Sequence, residues 1–498
     1  MSCPPGPTVG EAQPAAHPIY PEPQLLVQSG LGAQVHKACV DTSALASHGH
    51  IDALVPELLA EANLVTGNGG CDCDLQITFA AAPPALSGNA QTQWMAAGSN
   101  AERFIVVTQT DNGRATATLH APSSERAALY ALRATLALVQ GNPTRIANAV
   151  IVDYPVFSAR GVVEGFYGVP YSVTDRTTIL RLMSRLRENV FIYGPKGDLY
   201  ARDNWRDLYP LQGSGEGAGQ IIEVAAHEAD RVLVDFVWSI SPGLSFDFNN
   251  YNAELATLKA KIDNVRSLGV RRFALFLDDI ANADAAGHAR LMNDVDDYLK
   301  QRDPNAKLIT VGTRYAFGPN GYTDTLGAMA HPSIEIMWTG NDIEPTTMTA
   351  GDMSAVNASL RRKVTIWDNW PNAPGSFQGR SGDLHTAVQG YYTNPVLNED
   401  PSPNLPTSAF LAVLGPIADY LWAPERYAAS ASYQTWQPIL AAWNRQVAPC
   451  TPCGSFATGW TCKSDLSSIM YCDGSCVTAL PCPGGCQFQP NPHPDICR

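Results

Sequence analysis

The chain is short of basic charge. Its 33 Lys and Arg stand against 47 Asp and Glu, a formal net charge of −14 over 498 residues, and the basic residues form no stripe. Binding a polyanion takes clustered Lys and Arg, so nucleic acid is excluded as the main partner. Long apolar runs are missing as well, which excludes a membrane-spanning helix. Charged residues make up only 16%, yet hydrophobic residues reach 45%, so the scarcity of charge belongs to a folded chain with a large core, not to disorder. No Gly-x-Gly-x-x-Gly fingerprint follows a first strand, which counts against a dinucleotide-binding open sheet. Cysteine is sparse for most of the length: Cys3, Cys39, Cys71 and Cys73 are all that precede Cys450.

What is present divides into five stretches. Residues 1–22 are a Pro- and Ala-rich lead-in, and 23–150 read as an α+β domain. Its strands fall at 25–27, 75–79, 103–107 and 115–119, and an amphipathic helix over 123–139 is capped by Ser123 or Ser124. Residues 151–425 alternate apolar runs with helical patterns. The runs lie at 161–164, 189–193, 232–238, 273–278, 308–311, 334–338, 364–367 and 388–392, and helices at 174–188, 252–268 and 284–300 fall between them. Eight strand signals with crossovers, over about 250 residues, predict an α/β fold of the (β/α)8 barrel type, with a doubly wound open sheet as the alternative. A helical segment (426–448) and a Cys-rich module (449–498) follow. The eight cysteines of that module lie among Gly, Pro and Ser, with little to build a core, and predict a disulfide-knit unit; the alternative is a zinc site opened by Cys450-x-x-Cys453. Disulfides imply an extracellular or secreted protein. Met1-Ser2-Cys3-Pro4-Pro5 carries no signal-peptide pattern, so either a leader has been removed or the start is misassigned.

The run Phe273-Ala274-Leu275-Phe276-Leu277-Asp278-Asp279-Ile280 organises the rest: a strand buried on both faces stops on two acids. In a parallel barrel, the carboxyl ends of the strands carry the chemistry. Polar and aromatic residues gather at the ends of the other runs too, as in Glu164-Gly165-Phe166-Tyr167, Pro195-Lys196, Arg314-Tyr315, Trp338-Thr339, Trp367-Asp368-Asn369 and Thr393-Asn394. Rings to stack on and amides to hydrogen-bond suit a sugar. Paired glycosidase carboxylates ordinarily come from separate strands, flanking the bond. Neighbouring acids suit another division of labour. The substrate's own 2-acetamido oxygen attacks the anomeric carbon, one Asp polarises the acetamido group, and the other acts as acid and then base.

These stretches, with Tyr193-Gly194-Pro195-Lys196-Gly197-Asp198 and Trp205-Arg206, resemble glycoside hydrolase family 84, the O-GlcNAcase and hyaluronidase-like β-N-acetylglucosaminidases. The resemblance spans about residues 20–425. It implies that Asp278 orients the acetamido group, that Asp279 is the general acid/base, and that Tyr315 supports the acetamido oxygen. By the same resemblance Thr339 and Ile343 line the acetyl pocket, Trp367 packs near the sugar, and Gly165, Lys196, Asn369 and Asn394 bind ring hydroxyls. The implied partner is a glycan or glycoprotein with terminal N-acetylhexosamine, and no metal or nucleotide cofactor is expected. One departure bears on the sugar: where the family usually has an Asp binding the 4- and 6-hydroxyls, this chain has Pro374, with Asn372 in the same loop. A proline side chain accepts no hydrogen bond. Two alternatives therefore stand beside hydrolysis of N-acetylglucosaminides: a glycan-binding or adhesion protein with a weakened barrel, and a hexosaminidase of shifted specificity.

Overall fold

The computed structural model describes residues 19–140, 144–167, 170–210, 218–369, 377–395, 407–429, 432, 435 and 436, and short strands between Thr451 and Cys497. The chain falls into two units. One takes the residues up to Ser158 with Arg185–Arg187 and Leu421–Ala423; the other takes the remainder.

The first unit is built on a mixed sheet in the order Leu25–Gln34, Arg145–Asp153, Phe104–Asp111, Arg114–His120, Leu75–Phe79, Lys37–Asp41, Val65–Thr66. Burial alternates along Leu75–Phe79, so one face of this sheet is packed. The helix Glu125–Ala137 supplies Ala127, Leu129, Leu132 and Leu136 to the buried set. Its N-cap is Ser124, whose hydroxyl accepts from the Ala127 amide at 3.1 Å. Cys39 and Cys73 are joined by a disulfide.

The second unit contains a closed parallel barrel of eight strands, as the apolar runs predict. They are β1 (Ala159–Glu164), β2 (Val190–Tyr193), β3 (Asp235–Ile240), β4 (Arg272–Phe276), β5 (Leu308–Val311), β6 (Glu335–Trp338), β7 (Thr365–Asp368) and β8 (Gly390–Thr393). Each pairs with the next, and β8 closes on β1 through registers such as Tyr392 with Gly161. The third run is displaced from its predicted position. Val232, Leu233 and Val234 end a helix instead of opening a strand: Leu233 takes a left-handed φ of 59°, and the Val234 amide bonds back to Ala229 O at 2.8 Å.

The barrel's interior is a single cluster with a residue from every strand: Val163, Ile192, Val237, Phe276, Val311, Met337, Trp367 and Tyr392. Strand side chains alternate between faces, so Leu275 and Leu277 belong to the outer side and pack away from the axis. Among the described residues, no helix is long and apolar enough to cross a membrane. The tail's backbone pairs as a four-stranded sheet plus a two-stranded one. Its cysteine side chains, and so the disulfide-knit and zinc readings, lie outside the described residues, as do Asn372 and Pro374.

Candidate active site

The period of two that fills the barrel also builds its mouth. Counting on from the inward residue of each strand in steps of two reaches Gly165 after β1, Lys196 after β2, Asp278 after β4 and Tyr315 after β5. The same count reaches Thr339 after β6, Asn369 after β7 and Asn394 after β8. Residues distant in sequence are thereby delivered to one rim, the carboxyl end of the sheet.

Hydrogen bonds join them into a circuit. Gly165 N donates to Asn394 Oδ1 (3.1 Å), and Asn394 Nδ2 donates to Asn369 Oδ1 (2.9 Å), which also accepts from Trp367 Nε1 (2.7 Å). Asn369 Nδ2 reaches Ile343 O at 3.1 Å. The Ile343 amide bonds to Asp342 Oδ1, and Asp342 O accepts from Thr339 Oγ1 (2.8 Å). Thr339 N donates to Tyr315 O at 2.9 Å. On the other side, Lys196 N donates to Phe166 O (2.9 Å), next to Gly165. Position 165 must be glycine, because a Cβ there would lie 2.3 Å from the Trp367 ring. Trp367 in turn leans on Phe276, ring centroids 5.2 Å apart.

The two acids occupy different environments. Asp278 is buried, its Oδ2 ion-paired to the buried Lys196, while its Oδ1 has no hydrogen-bond partner among the described residues. Asp279 follows at the wrong parity to face the same way, and the backbone corrects this with a left-handed φ of 56°. Its exposed carboxylate accepts from Tyr315 Oη at 2.7 Å and from Tyr167 Oη at 2.9 Å. Burial, then the bond to Asp279, raises both phenols: Tyr167 to about 12, Tyr315 further. Both therefore remain donors across the neutral range. Arg202 lies over the Tyr167 ring at 5.4 Å.

Every residue expected at the site is at this rim. Ile343 is the most exposed of the pocket candidates, at 39%. Tyr167 lies outside the expected set, yet it stands two beyond Gly165 on the inward parity, and its hydroxyl reaches Asp279 at 2.9 Å. A group that could hold a cation, Asp296, Asp297 and His331, lies elsewhere, where the helix Ala285–Lys300 ends and the chain approaches the amino end of β6. Lys300 Nζ already sits 2.6 Å from Asp296 there.

Neighbouring acids at the carboxyl mouth of a closed parallel barrel, among rings, amides and hydroxyls, are an arrangement that suits cleavage of a glycosidic bond. The NAGidase family model, described as beta-N-acetylglucosaminidase, matches residues 160–447, and the chain belongs to that family. It is 30% identical to Protein O-GlcNAcase of Mus musculus over 51% of this chain, and 31% identical to that of Rattus norvegicus over 47%. It spans only 30% and 28% of the lengths of those relatives. Among solved structures, CpGH84B is similar with a TM-score of 0.71 at 24% identity, covering 86% of this chain and 75% of that one, a likeness of fold. A Thermobaculum terrenum O-GlcNAc hydrolase mutant is similar with a TM-score of 0.51 at 29% identity, covering 58% and 64%.

Proposed function

We propose that the chain is a secreted, retaining β-N-acetylglucosaminidase that uses the substrate's acetamido group as its nucleophile. The observation that carries this is the division within the acid pair: among the described residues, Asp278 is held by Lys196 through one oxygen with the other unpartnered, and Asp279 is held by hydroxyls alone. Asp278 Oδ1 accepts the acetamido N–H and makes the carbonyl oxygen more nucleophilic. That oxygen attacks the anomeric carbon as the glycosidic C–O bond breaks, and Asp279, as general acid, gives a proton to the leaving oxygen. The product is a cyclic oxazolinium ion, its N–H still held by the Asp278 carboxylate. Water then attacks the anomeric carbon, Asp279 takes its proton, and the ring opens with the original configuration restored. Tyr315, whose hydroxyl donates to Asp279, supports the acetamido oxygen and the forming ring from beside the acid. The Cys39–Cys73 disulfide supports an oxidising compartment and so secretion. The reading takes a glycan or glycoprotein with terminal N-acetylhexosamine as substrate.

The test is a series of aryl N-acyl-β-glucosaminides with increasing fluorination of the acyl methyl. Fluorine drains the acyl oxygen, so the rate should fall steeply along the series if that oxygen attacks; a flat series rejects substrate assistance. Pro374 favours a second reading, shifted sugar specificity, because it brings no acceptor for the 4-hydroxyl. Comparing gluco with galacto substrates tests it, and a strong gluco preference rejects it.

A further inference from the structure

An aspartate that serves a cavity only by adopting a left-handed backbone needs something to hold that backbone, since the conformation is strained for a residue with a side chain. The holding group is on β5's continuation. Thr313 is buried, and its Oγ1 lies 2.9 Å from Leu277 O and 3.1 Å from Asn282 O. Those two carbonyls bracket the turn that carries Asp278 and Asp279. One hydroxyl hydrogen shared between them ties the entry of the turn to its exit. Thr313 is itself fixed: its amide donates to Tyr322 Oη at 3.1 Å, and that phenol lies 2.8 Å from Nδ1 of the fully buried His288. Burial lowers the His288 pKa to about 4, so the ring is neutral in the working range and its Nδ1 can accept the Tyr322 hydrogen. Two residues on, Tyr315 contacts Asp279 directly. One short segment therefore supplies both the bond to the carboxylate and the clamp on its backbone.

We propose that Thr313 is a positioning residue for proton transfer: by clamping the 277–282 turn, backed by Tyr322 and His288, it keeps Asp279 aimed at the leaving oxygen. This rests on Asp279 being the general acid, as proposed above.

Leaving-group acidity makes the proposal testable. A phenyl N-acetyl-β-glucosaminide needs a proton to depart, while a dinitrophenyl one departs without it. Thr313→Val keeps the shape and removes the hydroxyl. It should lower kcat/KM on the phenyl substrate roughly 10- to 100-fold and leave kcat/KM on the dinitrophenyl substrate close to wild type. Thr313→Ser should restore the phenyl rate. Tyr322→Phe, which removes the support of the Thr313 amide, should show the same selectivity in weaker form and serves if Thr313→Val does not fold. Equal losses on both substrates, tracking a fall in melting temperature, would mean a purely structural threonine and overturn the proposal, as would an unchanged phenyl rate. Asp279→Ala run alongside separates the two levels. If it shows the leaving-group selectivity and the Thr313 variants do not, only the positioning role fails; if it lacks the selectivity, the acid assignment itself fails.

Discussion

Carboxylates stand at the mouth of the barrel in two different states. At the ends of β1 and β7 they are saturated. Glu164 takes two bonds from Arg176 (both 2.8 Å) and one from the Tyr171 amide, and Asp368 takes two from Arg380 (2.9 and 2.6 Å) and another from the Tyr391 hydroxyl. Both are fully buried. Just past β4, by contrast, Asp278 keeps an oxygen without a partner among the described residues, and Asp279 is met by two phenols and by no Lys or Arg ion pair among them. Acids of the first kind are spent on holding loops: Arg380 also reaches Pro345 O and Thr346 O, stitching the loop after β6 to β7. On the proposed mechanism, acids of the second kind keep lone pairs for a substrate. Position on the rim does not separate structural from chemical acids; saturation does.

Disturbing an acid of each kind should therefore have opposite signatures. Asp279→Ala should lower kcat/KM on a fluorogenic N-acetylglucosaminide by about 10²- to 10⁴-fold with a poor leaving group, while the melting temperature barely moves. Equal activity in variant and wild type would break the distinction. Arg380→Met should do the reverse. It leaves Asp368 buried beside a lost partner, a change that costs about 3–5 kcal/mol and takes up much of a domain's stability. Urea denaturation checks it, and a variant as stable as wild type would show that burial alone does not define the structural class. A smaller effect is expected at Tyr315→Phe. Losing one hydrogen bond to a charged group is worth about 1.5–3 kcal/mol, so kcat should fall roughly 10- to 100-fold with the fold intact. A steady-state comparison of kcat and KM reads this directly.

The sequence carries more of this site than of the units around it. Eight apolar runs locate eight strands because a strand covered on both faces shows no polar gaps. The carboxyl-end rule then picks out the rim, and Asp278, Lys196, Tyr315, Thr339, Asn369 and Asn394 all lie there. Tyr167 and Thr313 were equally legible by parity, but a count in steps of two needs to know which residues face the axis, and adjacent apolar residues hide that. The left-handed turn at Asp279 has no sequence signal of its own, since Asp is common at turns of every kind. In the first unit, the strand Arg145–Asp153 has a weak local signal, because its first half, Arg145-Ile146-Ala147-Asn148-Ala149, is poor in β-branched residues. Its place beside the first strand is decided by pairing across the sheet, which local pattern does not contain.

A fifth acid sharpens the contrast from the opposite end of the barrel. Glu188 lies just before β2, fully buried, and neither of its carboxylate oxygens has a hydrogen-bond partner among the described residues. Burial pushes its pKa up to about 8, and the nearby charge of Arg160 offsets this only in part. It is unsaturated like Asp278, yet it sits at the amino end, where no substrate is expected, so it should behave as a protonated, neutral side chain. The sign follows from proton counting. Between the unfolded value near 4.5 and about 8, the folded chain holds a proton that the unfolded chain has released. Its contribution to stability is complete below the lower value and is lost as pH rises through the upper one, at no more than about 1.4 kcal/mol per pH unit. Glu188→Gln keeps the neutral shape and removes the titration. Urea unfolding of both proteins at pH 5 and pH 8 should show wild type losing ground to the variant at the higher pH, with activity unchanged. Parallel pH dependences would mean that the carboxylate is ionised and paired after all, and an unpartnered acid could then no longer be read as either neutral or reserved for substrate.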